Sequence, residues 1–402
     1  MNKICLVSCV SAKMPDRAPA RDLYLSPLFQ KARAYATSRF DGWRILSAKY
    51  GLLLPDQIVD PYDQTLKRTP KEARLAWADH VFKSIYSSVP TDAILAFVAG
   101  EYYRETLLPK LNQQGYTTRV PLEGLSIGLQ LSWLRKLEEE QQRLRHLDQF
   151  YSLLKRLEHG CGGKRVLREC TDQLDWPRTG VSFFFEPYEY RSTAVDQSRV
   201  VRVDTHSDGK GANYAFRRRL NTHTGAFVSD NHRQSRFRFH VGTALMNRSP
   251  HRSRVLTWGN DQNSTREVMA AEAELETEVS DFIGAMSLVW LATGEQANST
   301  SDRAYIARNA TALLAGSTGP LDLPTRHWLG RLSDQGIRQS GLWNRSCGEE
   351  HYDPRFLETM AVYVDVTTGQ APSPKGPIAP SDWPDTKRKS LRAAQMDLFN
   401  AE

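Results

Sequence analysis

The chain has 402 residues, a net charge of +7 and a pI of about 9.1. Its 40% hydrophobic and 25% charged residues are enough to bury more than one core, which argues against a broadly disordered chain, and the excess of cations favours polyanionic partners. The five cysteines are odd in number and form no Cys-x-x-Cys pair, so neither a disulfide framework nor a cysteine zinc site is expected.

The opening MNKICLVSCV is too short for a signal peptide's apolar region, and no run approaches the ~18 apolar residues of a membrane span. The expectation is a cytoplasmic protein with reduced thiols and no membrane partner. Lys3–Val7, Trp43–Ser47 and Ala93–Val98 are continuous apolar runs that end in Ser or Gly, as buried parallel strands do. Helical stretches Pro27–Ser38 and Pro70–Ser88 lie between them, each with proline where a first turn tolerates it. This alternation predicts a parallel α/β sheet.

From Leu129 to about Glu158 the leucines recur at helical spacings, and Gly160-Cys161-Gly162-Gly163 ends the run. Residues 160–260 then hold 17 Lys/Arg against 9 Asp/Glu, nearly all of the cations being arginine, the side chain suited to bidentate phosphate contact. Gly180–Glu186 and Arg199–Asp204 read as two short strands, followed by an arginine-rich helix around Tyr214–His223. A helix is expected over Thr265–Leu291, with Leu275, Val279, Phe282, Met286 and Val289 as its apolar stripe, and another over Arg303–Leu314. Beyond Thr367 the Pro-rich, polar run reads as a flexible tail. The fold class is therefore α/β: a parallel-sheet domain over 1–135, a helical connector over 136–172, an α+β domain over 173–366 and a tail over 367–402.

The second half carries GVSFFFEP at Gly180, RVVRVDTH at Arg199, RRRLNTH at Arg217, DNHRQSRFRFHVG at Asp230, EVSDFIGAM at Glu278, SDRAYIARN at Ser301 and SGLWN at Ser340. On these motifs it resembles a prokaryotic branch of the GIY-YIG nuclease family, and the resemblance spans roughly residues 175–365. It implies phosphodiester hydrolysis assisted by one divalent metal, Mg²⁺, on a helix glutamate, with a tyrosine or histidine activating water and an arginine stabilising the transition-state charge. Arg219 matches the family arginine, with Arg218 beside it and His223 one turn later. His232, His240 and Arg238 follow in the next basic motif, His232 as a substitute base and Arg238 as a phosphate contact. Asn309 matches the amide near the metal. Ser182 stands where tyrosine is expected, Asp204 where glycine is expected and Ala307 where the metal-binding glutamate is expected. Either Ala307 marks a naturally degenerate DNA-binding relative, or it replaces a glutamate. Glu272 and Glu276, one turn apart, are either a substitute carboxylate pair or part of a solvated face. Trp328 and Trp343 read as core aromatics rather than base-stacking groups.

The N-terminal pieces SCVSAK at Ser8, ARDLYLSPLF at Ala20, LSAKYGLLLPD at Leu46, DPYDQTL at Asp60, AGEYYRETL at Ala99 and PLEGLSIGLQLSWL at Pro121 resemble an uncharacterised prokaryotic domain found beside DNA-processing modules. More distantly they are similar to the uracil-DNA-glycosylase-like accessory domain of archaeal tRNA-guanine transglycosylases. Ligands of open α/β sheets gather beyond the strands' carboxyl ends, where Ser8, Cys9, Ser11, Lys13, Ser47, Lys49, Tyr50 and Gly100 fall. Tyr24, Tyr50 and Tyr62 are candidate walls for a flipped base, and Asp63 or Glu123 the candidate carboxylate for base excision. Against this, Asp22 and Asp63 suit helix capping, and Cys9 suits a buried thiol. The whole predicts an enzyme acting on DNA with modified bases, by excision and backbone cleavage, in defence against phages. A modification-dependent endonuclease without excision and a catalytically decayed DNA-binding regulator are the alternatives.

Overall fold

The apolar run Lys3–Ser8 (β1) sits at the centre of a five-stranded sheet because every side chain from Ile4 to Val7 is buried. The structure is a computed structural model that describes residues 2–170, 177, 179–206, 231–249, 255–259, 265–293, 301–344 and 351–383. It divides into two units, Met1–Gln142 and Arg143–Glu402.

In the first unit β1 pairs in parallel with Gly42–Ser47 (β3) and with Ile94–Val98 (β6). Gly51–Leu53 (β4) joins the β3 edge antiparallel, and Thr117–Arg119 (β7) joins β6 in parallel, giving the order β4-β3-β1-β6-β7. A small ribbon, Ala18–Pro19 (β2) with Ile58–Val59 (β5), lies outside this sheet. The chain winds from β1 to β3 in one direction and returns past β1 to reach β6. The winding therefore reverses between β1 and β6, where open sheets leave a crevice. Helix Pro27–Arg39 has Pro27 at its first turn and Ser26 accepting the Phe29 N–H, and helix Lys71–Ser88 begins directly after Pro70.

Helix Ile127–Gly160 is the longest element and ends where Gly163 N–H bonds the Glu158 carbonyl, with Gly162 and Gly163 at positive φ. Leu147, Phe150, Tyr151, Leu154 and Leu157 are buried in the core of the second unit. The later turns of this helix are thus core rather than a spacer, a correction to the connector reading.

The second unit holds a four-stranded sheet in the order β10-β9-β11-β8, from Arg165–Val166 (β8), Gly180–Tyr190 (β9), Ser198–His206 (β10) and Ser287–Ala292 (β11). The long helix expected over Thr265–Leu291 stops at Gly284, and Ser287–Ala292 is instead a strand paired antiparallel to β9. Met286 and Val289 extend a helical spacing by coincidence, while Leu288, Val289 and Leu291 are buried as a central strand requires. Among the described residues the unit also holds helices Arg236–Arg248, Arg266–Gly284, Asp302–Ala315, Gln335–Ser340 and Phe356–Thr367.

The flexible-tail reading also fails for the described residues beyond Thr367. Trp383 is buried against Tyr305, and the Ile378 and Ala379 N–H groups donate to the Asp302 carboxylate. No helix among the described residues is long and apolar enough to cross a membrane.

Candidate functional site

Two arrangements of chemistry-bearing side chains emerge, one in each unit. In the first, the loop after β1 is pinned by Met14 N–H to the Leu23 carbonyl (2.8 Å) and Leu25 N–H to the Ala12 carbonyl (3.0 Å), which carries Lys13 next to Tyr24. Ser47, at the end of β3, donates to Tyr62 Oη (2.8 Å), and Tyr62 Oη lies 3.0 Å from Tyr24 Oη. Ser47 Oγ also accepts the Tyr50 N–H, while its carbonyl accepts the Trp77 indole N–H. Cys9 Sγ accepts the Ala48 N–H and lies 3.0 Å from Tyr103 Oη.

Burial governs the electrostatics of this group. It pushes the Tyr24 phenol up to about 12, and raises Tyr62 and Tyr103 further, with neighbouring Cys9 adding to each. These phenols are therefore neutral hydrogen-bonding groups at physiological pH. Lys13 Nζ sits 4.2 Å from the Tyr62 ring centre, and partial burial lowers its pKa against the opposing fields of Cys9 and Asp63. Lys49 Nζ similarly faces Tyr50 at 4.9 Å, and Tyr50 packs edge-on to Tyr62.

The fold thus brings Lys13, Tyr24, Ser47, Tyr50 and Tyr62 together, with Asp63 close enough to act on Lys13. Tyr24 is only 1% exposed, so it can enter chemistry only through its hydroxyl, not as an open wall. Ser8 lines a small crevice with Val98, Ala99 and Gly100 at the point where the winding reverses between β1 and β6. Glu123 stands apart: it is an exposed partner of Arg104 at 3.1 Å. Capping does not explain the aspartates, because Thr65 caps the 3₁₀ turn after Asp63 and Asp22 instead pairs with Arg33. Sequence reasoning missed Tyr103 and Trp77, whose positions on separate helices give no local signal.

In the second unit the two motif strands pair directly. Ser182 of β9 stands opposite Asp204 of β10 and Trp290 of β11. Gly180 must be glycine, since a Cβ there would come within 2.9 Å of the His206 ring. Ser182 is buried and its Oγ has no hydrogen-bond partner among the described residues. Asp204 accepts from Arg202 (3.1 Å), whose guanidinium also covers the Phe237 ring.

Several residues expected to contact phosphate are used internally. Arg238 is fully buried and donates to Glu276 and Ser280, so it cannot serve as a phosphate contact in this conformation. His232 is buried beneath Trp258; its Nδ1 lies 2.8 Å from Glu276, and its Nε2 accepts the Gly259 N–H. With both ring nitrogens engaged, His232 does not stand ready as a water-activating base. Glu272 is buried against Arg233, and the half-buried Glu276 is held by His232 and Arg238, which corrects the solvated-face reading. Burial opposes ionisation of both glutamates, but these partners outweigh it and hold each carboxyl below its ordinary value. His240 lies against Asp334 at 3.0 Å. Arg218, Arg219 and His223 lie outside the described residues.

Trp328 and Trp343 are core residues, and both indole N–H groups donate to the buried Glu186 of β9. Burial pushes that carboxyl up to about 7, partly offset by the two indoles. The expected metal position does not fit a divalent cation. Ala307 offers a methyl group packed among Tyr305, Ile306 and Ala310, and Asn309 spends its amide on the Tyr305 carbonyl and the Asp353 N–H. Among the described residues no three His, Cys, Asp or Glu side chains gather as a metal site.

Comparison with known proteins follows the same division. Residues 141–370 match a GIY-YIG domain family, and residues 4–136 match a family of unknown function (DUF6884). The chain is 32% identical over 152 residues to "Uncharacterized protein YfjM" of Bacillus subtilis (strain 168), covering 36% of this chain and 100% of that protein. No solved structure matches.

Proposed function

This chain belongs to the GIY-YIG domain family, and we propose that it is a DNA-acting protein whose N-terminal unit reads a base and whose C-terminal unit is built to cleave the backbone. The family points to a DNA-binding endonuclease. The observation that carries the cleavage reading is the direct pairing of the two motif strands, Gly180–Ser182 against Asp204–His206. Recognition of a modified base, its excision and a role against phage DNA are the finer parts of the proposal. They are supported by aromatic, cationic and hydroxyl groups beyond the carboxyl ends of β1 and β3, a setting suited to holding an extruded base.

The site at Ala307 favours a second reading, a DNA-binding protein that does not cut. Without a carboxylate there, nothing in the described residues replaces the expected metal ligand. The two readings separate in one experiment. The unaltered chain and Ala307→Glu are incubated with Mg²⁺ and either modified or unmodified phage DNA, and strand breaks and free base are both recorded. Breaks from Ala307→Glu alone support a nuclease lacking its metal ligand. Binding that weakens steeply with salt, without breaks from either protein, favours the non-cutting reading. Free base from both proteins supports excision by the N-terminal unit, and breaks in modified DNA without free base favour simple base reading.

A further inference from the structure

The hairpin β9–β10 contains an irregularity that the catalytic motifs do not need. Tyr190 pairs with Ser198 and Phe185 pairs with Val200, so Glu186, Pro187, Tyr188 and Glu189 of β9 together stand against Arg199 alone on β10. A bulge of this kind re-aims a side chain out of the pleat. Here it projects Tyr188, which is 84% exposed, with Tyr190 beside it 45% exposed. Among the described residues Tyr188 is the sole non-glycine at positive φ, +67°. A bulky residue in that conformation is strained, so an aromatic ring is kept where glycine would fit more easily.

The base of the bulge is rigid. Glu189 is buried in an ion pair with Arg199 (2.8 Å) and accepts from the Thr325 backbone N–H and hydroxyl. Arg199 also donates to the Gly341 carbonyl. The contact with Thr325 sets the segment Pro324–His327 next to the bulge. Arg331 donates to the carbonyls of Thr325 and Pro324, and Arg326 follows Thr325 directly. Both arginines are exposed, and neither has a carboxylate partner among the described residues.

We propose that Tyr188 is a stacking wedge for duplex DNA, inserting its ring at a base step while Arg326 and Arg331 meet the adjoining phosphates. A strained, exposed aromatic on a rigid base, flanked by guanidinium groups that no carboxylate neutralises, suits a π-face and a polyanion together, which DNA supplies. Tyr188 lies six residues from Ser182 along the same strand, at most about 20 Å, or roughly six base pairs of B-form rise. One duplex can therefore reach both positions. The inference rests on the DNA-acting reading of the C-terminal unit.

The test uses the full chain and its Tyr188→Ala, Tyr188→Gly and Tyr188→Phe variants, with a short duplex carrying 2-aminopurine at successive positions. The unaltered chain and Tyr188→Phe are expected to bind alike and to raise 2-aminopurine fluorescence at one step. Tyr188→Ala and Tyr188→Gly are expected to bind about 10- to 100-fold more weakly without that rise. Tyr188→Gly is also expected to unfold at higher urea than the unaltered chain, because strain is removed, so that stability and DNA affinity move in opposite directions. Unchanged binding by the Ala and Gly variants overturns the wedge while leaving the DNA reading standing. Phe binding as weakly as Ala overturns stacking as the cause. If the unaltered chain binds no duplex, the DNA reading fails and the wedge with it.

Discussion

In the N-terminal sheet the chemistry-bearing groups stand beyond the strand ends and bond to one another as neutral hydroxyls, a thiol and a partly buried lysine. In the C-terminal sheet they lie along the strands and helices and are consumed in buried ion pairs. Ser47, Tyr62 and Tyr24 illustrate the first pattern, and Glu189–Arg199, Glu276–Arg238 and Glu272–Arg233 the second. An arginine-rich stretch is therefore not the same thing as a basic surface. Arg191, Arg199 and Arg238 are all buried, each facing a carboxylate. Both sheets are covered on both faces, but the site groups of the first lie beyond its strand ends, whereas those of the second lie along the strands and helices themselves.

Breaking the Glu189–Arg199 pair should perturb the protein most. Replacing Arg199 by alanine leaves Glu189 buried without its cation, and urea unfolding should show a loss of about 3–5 kcal/mol. A loss under about 1 kcal/mol would mean that the pair is not desolvated and would remove the contrast.

Next comes a pH effect on the same unit. Glu186 holds its proton more tightly when folded, with its pKa pushed from 4.5 to about 7. The stability it contributes is fully present below about pH 4.5 and is lost as pH rises to about 7, an effect on the order of 3 kcal/mol. Urea midpoints at about pH 5 and about pH 8 should therefore differ in this sense for the unaltered chain and much less for Glu186→Gln. An equal pH slope in both proteins would assign it to another group.

Smaller effects are expected in the N-terminal unit. Ser47→Ala removes the donor to Tyr62 and the acceptor of the Tyr50 N–H, and should destabilise by about 1–2 kcal/mol. Lys13→Met should change stability least, by about 0.5–1 kcal/mol, since it removes a cation–π contact but keeps the stem. If Lys13→Met proved as costly as Arg199→Ala, the lysine would belong to a buried charge network like those of the second unit.

The features legible along the chain are local. The runs ending at Ser8, Ser47 and Val98 were legible as strands because burial on both faces leaves a continuous apolar signature, and Pro27 and Pro70 marked helix starts. The GIY-YIG resemblance was legible in the strands at Gly180 and Ser198, and Trp328 and Trp343 were legible as core. Tertiary structure alone decided the rest. Ser287–Ala292 shares its apolar residues with a helical spacing, and only pairing with β9 makes it a strand. Arg238 and Glu276 are 38 residues apart, His232 and Glu276 are 44 apart, and Glu186 meets indoles at separations of 142 and 157 residues. Charge and residue type are properties of a position in the chain, but whether a charge faces water or another charge depends on which distant segments close over it, and spacing along the chain carries no record of that.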